Sequence, residues 1–188
     1  EMGVPVFMAD VKGDISGLMN PGVDSADMQE RIQRFKLEDF TYQGYPVCFW
    51  DIYGKNGIQL RTTISEMGPL LLGRILGLNE TQADILQVLF KIADDQQLLL
   101  VDTKDLKALL AYVDDHSSEF AQDYGKISSA SIGVITRAIV AMESQGADTF
   151  FGEPELNFQD WLTTDGQRGM IHILDSSSLI NNGTLYST

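Results

Sequence analysis

The chain has 188 residues, 44% hydrophobic and 21% charged, the composition of a globular protein long enough to bury a real core. Thirteen basic against 27 acidic residues give a net charge of −14 at pH 7, a surface that repels polyanions and excludes wrapping of nucleic acid over the whole molecule. No apolar run approaches a membrane span, the start lacks the basic region of a signal peptide, and the single Cys48 excludes an internal disulfide.

In chain order, Met2–Ala9 reads as a buried strand that breaks at Asp10, and Asp10–Gly17 as a charged loop. Pro21-Gly22 is a strong breaker. Asp24-Ser25-Ala26-Asp27 then caps a helix over 28–35 with Met28, Ile32 and Phe35 on one face. Tyr45–Tyr53 reads as a second strand with Asp51 near its end. Gly54-Lys55-Asn56-Gly57 is a hairpin-type turn, after which Ile58–Thr63 returns as a strand. Ser65–Pro69 opens a helix that Gly77 stops.

From there the pattern is helical. Asn79-Glu80-Thr81-Gln82 is a capping box leading into Ile85, Leu86, Leu89, Phe90 and Ala93. Asp102 or Thr103 caps a helix bearing Leu106, Leu109, Leu110 and Val113. Ser128 or Ser129 opens another with Ile132, Ile135, Ile139 and Met142, stopped at Gly146. These stripes read as core faces. Leu98–Val101 between the first two is either a linker or a short extended piece. Asn157–Leu162 is a short capped helix, Gly169–Leu174 a strand ending at Asp175, and Ser176–Ser178 the cap of a further helix. The expected architecture is an α/β core interrupted by helices: residues 1–64 begin the core, 65–146 form a helical insertion, and 147–188 return to the core. Both ends read as cut from within a longer chain.

The strongest candidate chemistry is Asp10, Lys12, Gly13 and Asp14. At the carboxyl end of a strand, carboxylates hold Mg²⁺ through water or orient a nucleophilic water. Gly13 permits positive φ and Lys12 can meet a phosphate; the plain alternative is a solvated loop. No Gly-x-x-x-x-Gly-Lys-[Ser/Thr] occurs anywhere in the chain. Asp51 and Asp175 also end apolar strands, where they either line the same sheet edge as Asp10 or serve turn hydrogen bonding. Asp51 points the other way if its strand is antiparallel. His116 is placed at a helix end, and His172 alternates inside a strand. Neither assembles a Ser–His–Asp pattern. Arg61, Arg74 and Arg137 are isolated cations, expected in internal ion pairs, with an arginine finger across a subunit interface as the sharper alternative. Cys48 with two histidines makes a poor metal site, so no metal ligands are assigned and Cys48 is expected as a reduced core residue of a cytoplasmic protein.

Several strings resemble a family. Val4–Leu18, Leu60–Leu72, Leu78–Gln82, Phe90–Asp95, Phe150–Pro154, Leu179–Asn182 and Leu185–Thr188 resemble, in order, segments of bacterial HerA-like ATPases of the YjgR type. The resemblance implies a partial RecA-like P-loop core of the HerA/FtsK superfamily. It implies ATP and Mg²⁺ as cofactors of the full-length protein, with none expected bound to this fragment, and homo-oligomers, often hexameric rings. DNA is implied as a partner by family analogy only, and no membrane. The family's Asp-x-x-Gly-[Glu/Asp] element maps onto Asp10, Gly13 and Asp14, with Lys12 in the variable slot. It implies catalytic roles for Asp10 and Asp14 and cofactor contact for Lys12 and Gly13. The phosphate loop and the second acidic motif are expected outside the chain, so the fragment is expected to be inactive alone. The alternative is a non-enzymatic interaction module carried by the helical insertion.

Overall fold

The computed structural model describes residues 2–177. The expected cap at Ser178 and the segments from Leu179 to Thr188 lie outside the described residues. The chain forms two compact units, one of residues 2–51, 56–58 and 157–177, the other of residues 52–55 and 59–156.

The first unit contains strand β1 (Val6–Asp10), helix α1 (Ala26–Phe35) and strand β2 (Val47–Asp51). It also holds the start of β3 (Ile58–Gln59), the short strands β4 (Thr164–Asp165) and β5 (Arg168–Gly169), and β6 (Ile171–Asp175). The main sheet has the order β1-β6-β2-β3, and β6 pairs parallel with both β1 and β2. Because side chains alternate along a strand, one face carries Phe7, Ala9, Cys48, Trp50, His172 and Leu174. The other carries Met8, Asp10, Phe49, Asp51, Ile173 and Asp175. Antiparallel β4–β5 precedes β6. The strand expected over 169–174 is broken at Met170, whose N–H donates to Thr163 O at 3.0 Å. Gly169 is required there, since a Cβ at this position would lie 2.0 Å from Val4 O.

α1 begins where the sequence places it. Ser25 accepts Met28 N–H at 3.2 Å, with Asp27 in the first turn and Arg34 in the last, both favourable to the helix dipole. None of its residues is fully buried.

The second unit is helical: α2 (Ile64–Ile75), α3 (Glu80–Asp95), α4 (Thr103–Asp115), α5 (Ser117–Tyr124), α6 (Ser129–Glu143) and α7 (Ala147–Phe150). α2 is kinked at Gly68 (φ 70°) before Pro69, as a missing donor and a positive φ dictate. The capping box at Asn79 has both hydrogen bonds, and Asp102 with Asp105 makes a second one. Leu86, Leu89, Ile92, Leu106, Leu110, Ile135, Ile139 and Met142 are buried. At about 1.5–3 kcal/mol per buried aliphatic side chain, this stripe-to-stripe core is the main source of the unit's stability.

Two expectations change here. The strand expected over 58–63 is confined to Ile58–Gln59. The following backbone instead meets residues 150–156, with Thr62 N–H on Phe150 O at 3.2 Å and Leu156 N–H on Arg61 O at 2.9 Å. Residues 98–101 are the extended piece rather than a free linker: Ile64 N–H donates to Val101 O and Ser65 N–H to Leu100 O. No helix among the described residues is long and apolar enough to cross a membrane.

Candidate functional site

The three strands of the parallel sheet end abreast on aspartates. Asp10 and Asp51 are both register partners of Asp175, so the three carboxylates share the carboxyl edge and the same sheet face. β2 runs parallel to its neighbour, so Asp51 points the same way as the others. This edge is where open α/β sheets place ligands, because loops diverge there and leave a crevice. A cavity of about 320 Å³ opens at this point, lined by Asp10, Gly13, Ser16, Met19, Phe49, Asn56, Ile173, Asp175 and Ser177.

Asp10, 3% exposed, organises the loop that follows it. Its Oδ1 accepts the N–H groups of Gly13 at 2.7 Å and Lys12 at 3.2 Å, and its Oδ2 accepts Ile15 N–H at 3.1 Å. Gly13 has φ +74°, a conformation that costs a side-chain-bearing residue energy, and open space surrounds its Cα. The turn projects Lys12 and Asp14 into solvent, where both are exposed and neither lines the cavity. Ser176 N–H donates to Asp10 O at 2.8 Å and ties the ends of β1 and β6 together.

The other two aspartates are joined through Asn56. Asp51 Oδ2 accepts Asn56 N–H at 3.0 Å, and Asp175 Oδ2 accepts from Asn56 Nδ2 at 3.1 Å. Asp175 Oδ1 also accepts from Ser177 N and Oγ. The Ser177 hydroxyl lowers the Asp175 pKa below the usual carboxylate range. Its backbone N–H and Asn56 act the same way, against the opposing effect of burial. Asp51 and Asp175 therefore line the edge and also stabilise turns; the two readings of the sequence coexist.

The opposite sheet face is aromatic. Phe7 stacks on Trp161 at 4.0 Å, and Trp50 meets Trp161 edge-on. Trp50 Nε1–H donates to His172 Nδ1 at 3.0 Å, and His172 Nε2 faces Thr163 Oγ1 at 3.2 Å. An indole donor on Nδ1 fixes the neutral Nε2–H tautomer, and burial lowers the His172 pKa. His172 is thus a satisfied buried residue on the face away from the carboxylates. His116 joins two helices as C-cap of α4 and N-cap of α5, with Nδ1 2.9 Å from Tyr112 O.

Arg61 donates Nη1 to the Glu153 carbonyl rather than to a carboxylate. Arg74 and Arg137 are exposed. Ion pairs of the helical unit include Lys91–Asp95 and Lys107–Glu143. Cys48 is half-buried and free, with a thiol pKa raised by burial. No cluster of three or more His, Cys, Asp or Glu suited to a metal occurs among the described residues. Sequence reasoning missed Asn56 and Ser177 as cavity residues; their only signal was a place in turns next to Asp51 and Asp175.

A parallel sheet whose strand ends carry acidic residues around a crevice, with helices beside it, makes this an α/β protein. A family model described as helicase HerA-like C-terminal matches residues 1–188, and the chain belongs to that family. No curated protein and no solved structure matches the chain.

Proposed function

We propose that the sheet-bearing unit forms one wall of the ATP site of a HerA-like motor ATPase. In this reading the sheet is a partial RecA-like core of the YjgR type, and residues 65–146 are an insertion into it. Ring assembly and DNA as the translocated cargo belong to the same reading. The observation that carries it is the alignment of Asp10, Asp51 and Asp175 at the carboxyl edge of a parallel sheet, next to the loop that Asp10 holds.

The donor set fits only part of a magnesium nucleotide. Asp175 lines the crevice and suits the water shell of a hydrated cation, while Lys12 and Asp14 stand on the exposed loop beside it. Three aligned carboxylates repel a bare triphosphate, and the chain has no Gly-x-x-x-x-Gly-Lys-[Ser/Thr]. Other residues therefore grip the phosphates. When bound, Mg²⁺ neutralises phosphate charge and so favours phosphoryl transfer. Within this chain, Asp10 positions the loop and Gly13 lets its backbone approach the nucleotide. Lys12 would meet a phosphate oxygen, and Asp14 on the same loop would orient a water for the reaction.

The test is ATP hydrolysis by the full-length protein. Asp14→Asn is expected to lower kcat at least tenfold with little change in KM, and Lys12→Ala to raise KM. Isothermal titration of the present chain with Mg-ATP is expected to show no tight binding. Full activity in Asp14→Asn, or micromolar binding and turnover by the present chain, would overturn the reading.

A partner-binding role for the helical unit has one observation of its own, the exposure of Leu98, Leu99 and Tyr112 along one groove.

A further inference from the structure

Asp175 differs from the other two edge aspartates in what holds it. Asp10 is held by its own loop, through the N–H groups of Lys12, Gly13 and Ile15. Asp51 accepts the backbone N–H of Asn56 at 3.0 Å, from the turn that directly follows it. Asp175 is held from two sides. Its Oδ1 accepts Ser177 N–H at 3.0 Å and the Ser177 hydroxyl. Its Oδ2 accepts the side-chain amide of Asn56 at 3.1 Å, a residue 119 positions away in sequence. The terminal torsion of a carboxylate is soft, and Ser177 engages one oxygen only. Asn56 engages the second and so fixes the plane of the group.

The turn is shaped to deliver that amide. Gly57 passes so close to the end of β2 that a Cβ there would stand 2.5 Å from Phe49 O, an approach that glycine alone allows. Asn56 is thereby set at the rim of the crevice, which Phe49 and Asp175 also line. Asp51 and Asp175 are register partners on adjacent parallel strands. Such strands lie about 4.8 Å apart, and like charges at their ends repel across that gap. Asn56 meets both carboxylates with donors, its backbone N–H toward Asp51 and its amide toward Asp175. An aspartate of the same shape presents only acceptors, and an alanine presents nothing.

We propose that Asn56 is the positioning residue of the crevice: by bridging the ends of β2 and β6, it holds the Asp175 carboxylate in the orientation that receives the water shell of a hydrated divalent cation. Asn56 acts through Asp175 and does not touch the reacting atoms. The inference rests on the nucleotide reading for what the crevice holds, and adds the residue that sets its geometry.

Amide hydrogen exchange and ATP hydrolysis, read on the same variants of the full-length protein, test it. Asn56 is exposed and its backbone is not left-handed, so alanine fits there. Asn56→Ala is expected to speed exchange of the Ser177 amide, which donates to Asp175, about tenfold. The amides of Gly13, held by Asp10, and of Ile171 are expected to keep their protection. In the same variant kcat is expected to fall about tenfold, the scale for losing a group that orients a metal's donor, with KM for ATP within about twofold. Asn56→Asp/Asp175→Asn exchanges donor and acceptor at unchanged net charge. It is expected to bring Ser177 protection back and leave kcat low, since the bridge returns but the carboxylate at 175 does not. Unchanged Ser177 exchange in Asn56→Ala shows that Ser177 alone holds Asp175 and overturns the proposal. Faster exchange with unchanged kcat, where Asp14→Asn does lower kcat, overturns it as well and leaves the nucleotide reading standing. Wild-type kcat in the exchanged pair also overturns it, because the bridge is then structural only. Should Asp14→Asn keep full activity, the nucleotide reading falls, while the exchange of Ser177 still upholds or overturns the bridge.

Discussion

Replacing Asp10 tests whether the loop after β1 is held by one side chain. Its carboxylate accepts three backbone N–H groups, from Gly13 at 2.7 Å, Ile15 at 3.1 Å and Lys12 at 3.2 Å. Hydrogen bonds to a charged group contribute about 1.5–3 kcal/mol each, and exposed donors recover part of that from water when the acceptor is lost. Lys12 and Gly13 are exposed and Ile15 half-buried, so Asp10→Ala is expected to destabilise the closed loop by about 2–4 kcal/mol. Asp10→Asn keeps one acceptor oxygen but turns an amide NH₂ toward a backbone donor, a loss of about 1–3 kcal/mol. The assay is amide hydrogen exchange, which reports local opening. A loss of about 2 kcal/mol accelerates exchange at Lys12, Gly13 and Ile15 by about thirtyfold. The Ile171 amide, bonded to Pro46 O, serves as a reference and is expected to stay protected. If the three loop amides exchange at wild-type rates in both variants, Asp10 does not hold the loop.

His172 predicts a pH dependence with a definite sign. Burial depresses its folded pKa below the ordinary 6.5, so the unfolded chain takes up the proton first. The stabilisation is complete above pH 6.5 and is lost as pH falls through the folded value, at no more than about 1.4 kcal/mol per pH unit. Denaturation of His172→Gln at several pH values checks this: the slope just below pH 6.5 is expected to shrink, and an unchanged slope would assign it to other groups. Gly169→Ala is expected to destabilise the first unit by about 3 kcal/mol, since its Cβ meets Val4 O. Tryptophan fluorescence during urea unfolding reads the change, and a variant as stable as the wild type contradicts the close approach.

Local signals in the sequence carried far. The Asn79–Gln82 capping box and the stripes on α4 and α6 were legible because both partners of each interaction lie within one or two helical turns. α5 was not, because it follows α4 directly through His116 with no side-chain cap to mark its start. Met2–Ala9 reads as a buried strand, yet β1 is largely exposed, with Phe7 41% accessible; apolar content reports what a strand can bury, not whether a cover is present. At the candidate site, each aspartate was visible as the end of an apolar run. That they stand abreast depends on β6 lying between β1 and β2, a long-range pairing that no local pattern encodes. Asn56 was legible as a turn residue, and its bridge from Asp51 to Asp175 follows only once that pairing exists.

The central place of β6 also sets an order in time. During synthesis, Val6 and Val47 leave the ribosome long before Ile171, the residue both pair with. The helical stretch from 59 to 156 is contiguous in sequence and can collapse on its own nascent segment. The edges of β1 and β2 that face β6 stay uncovered until Ile171–Asp175 is made. For this chain the sheet is the late, aggregation-exposed step of biogenesis, and anything that delays Ile171–Asp175 prolongs that exposure.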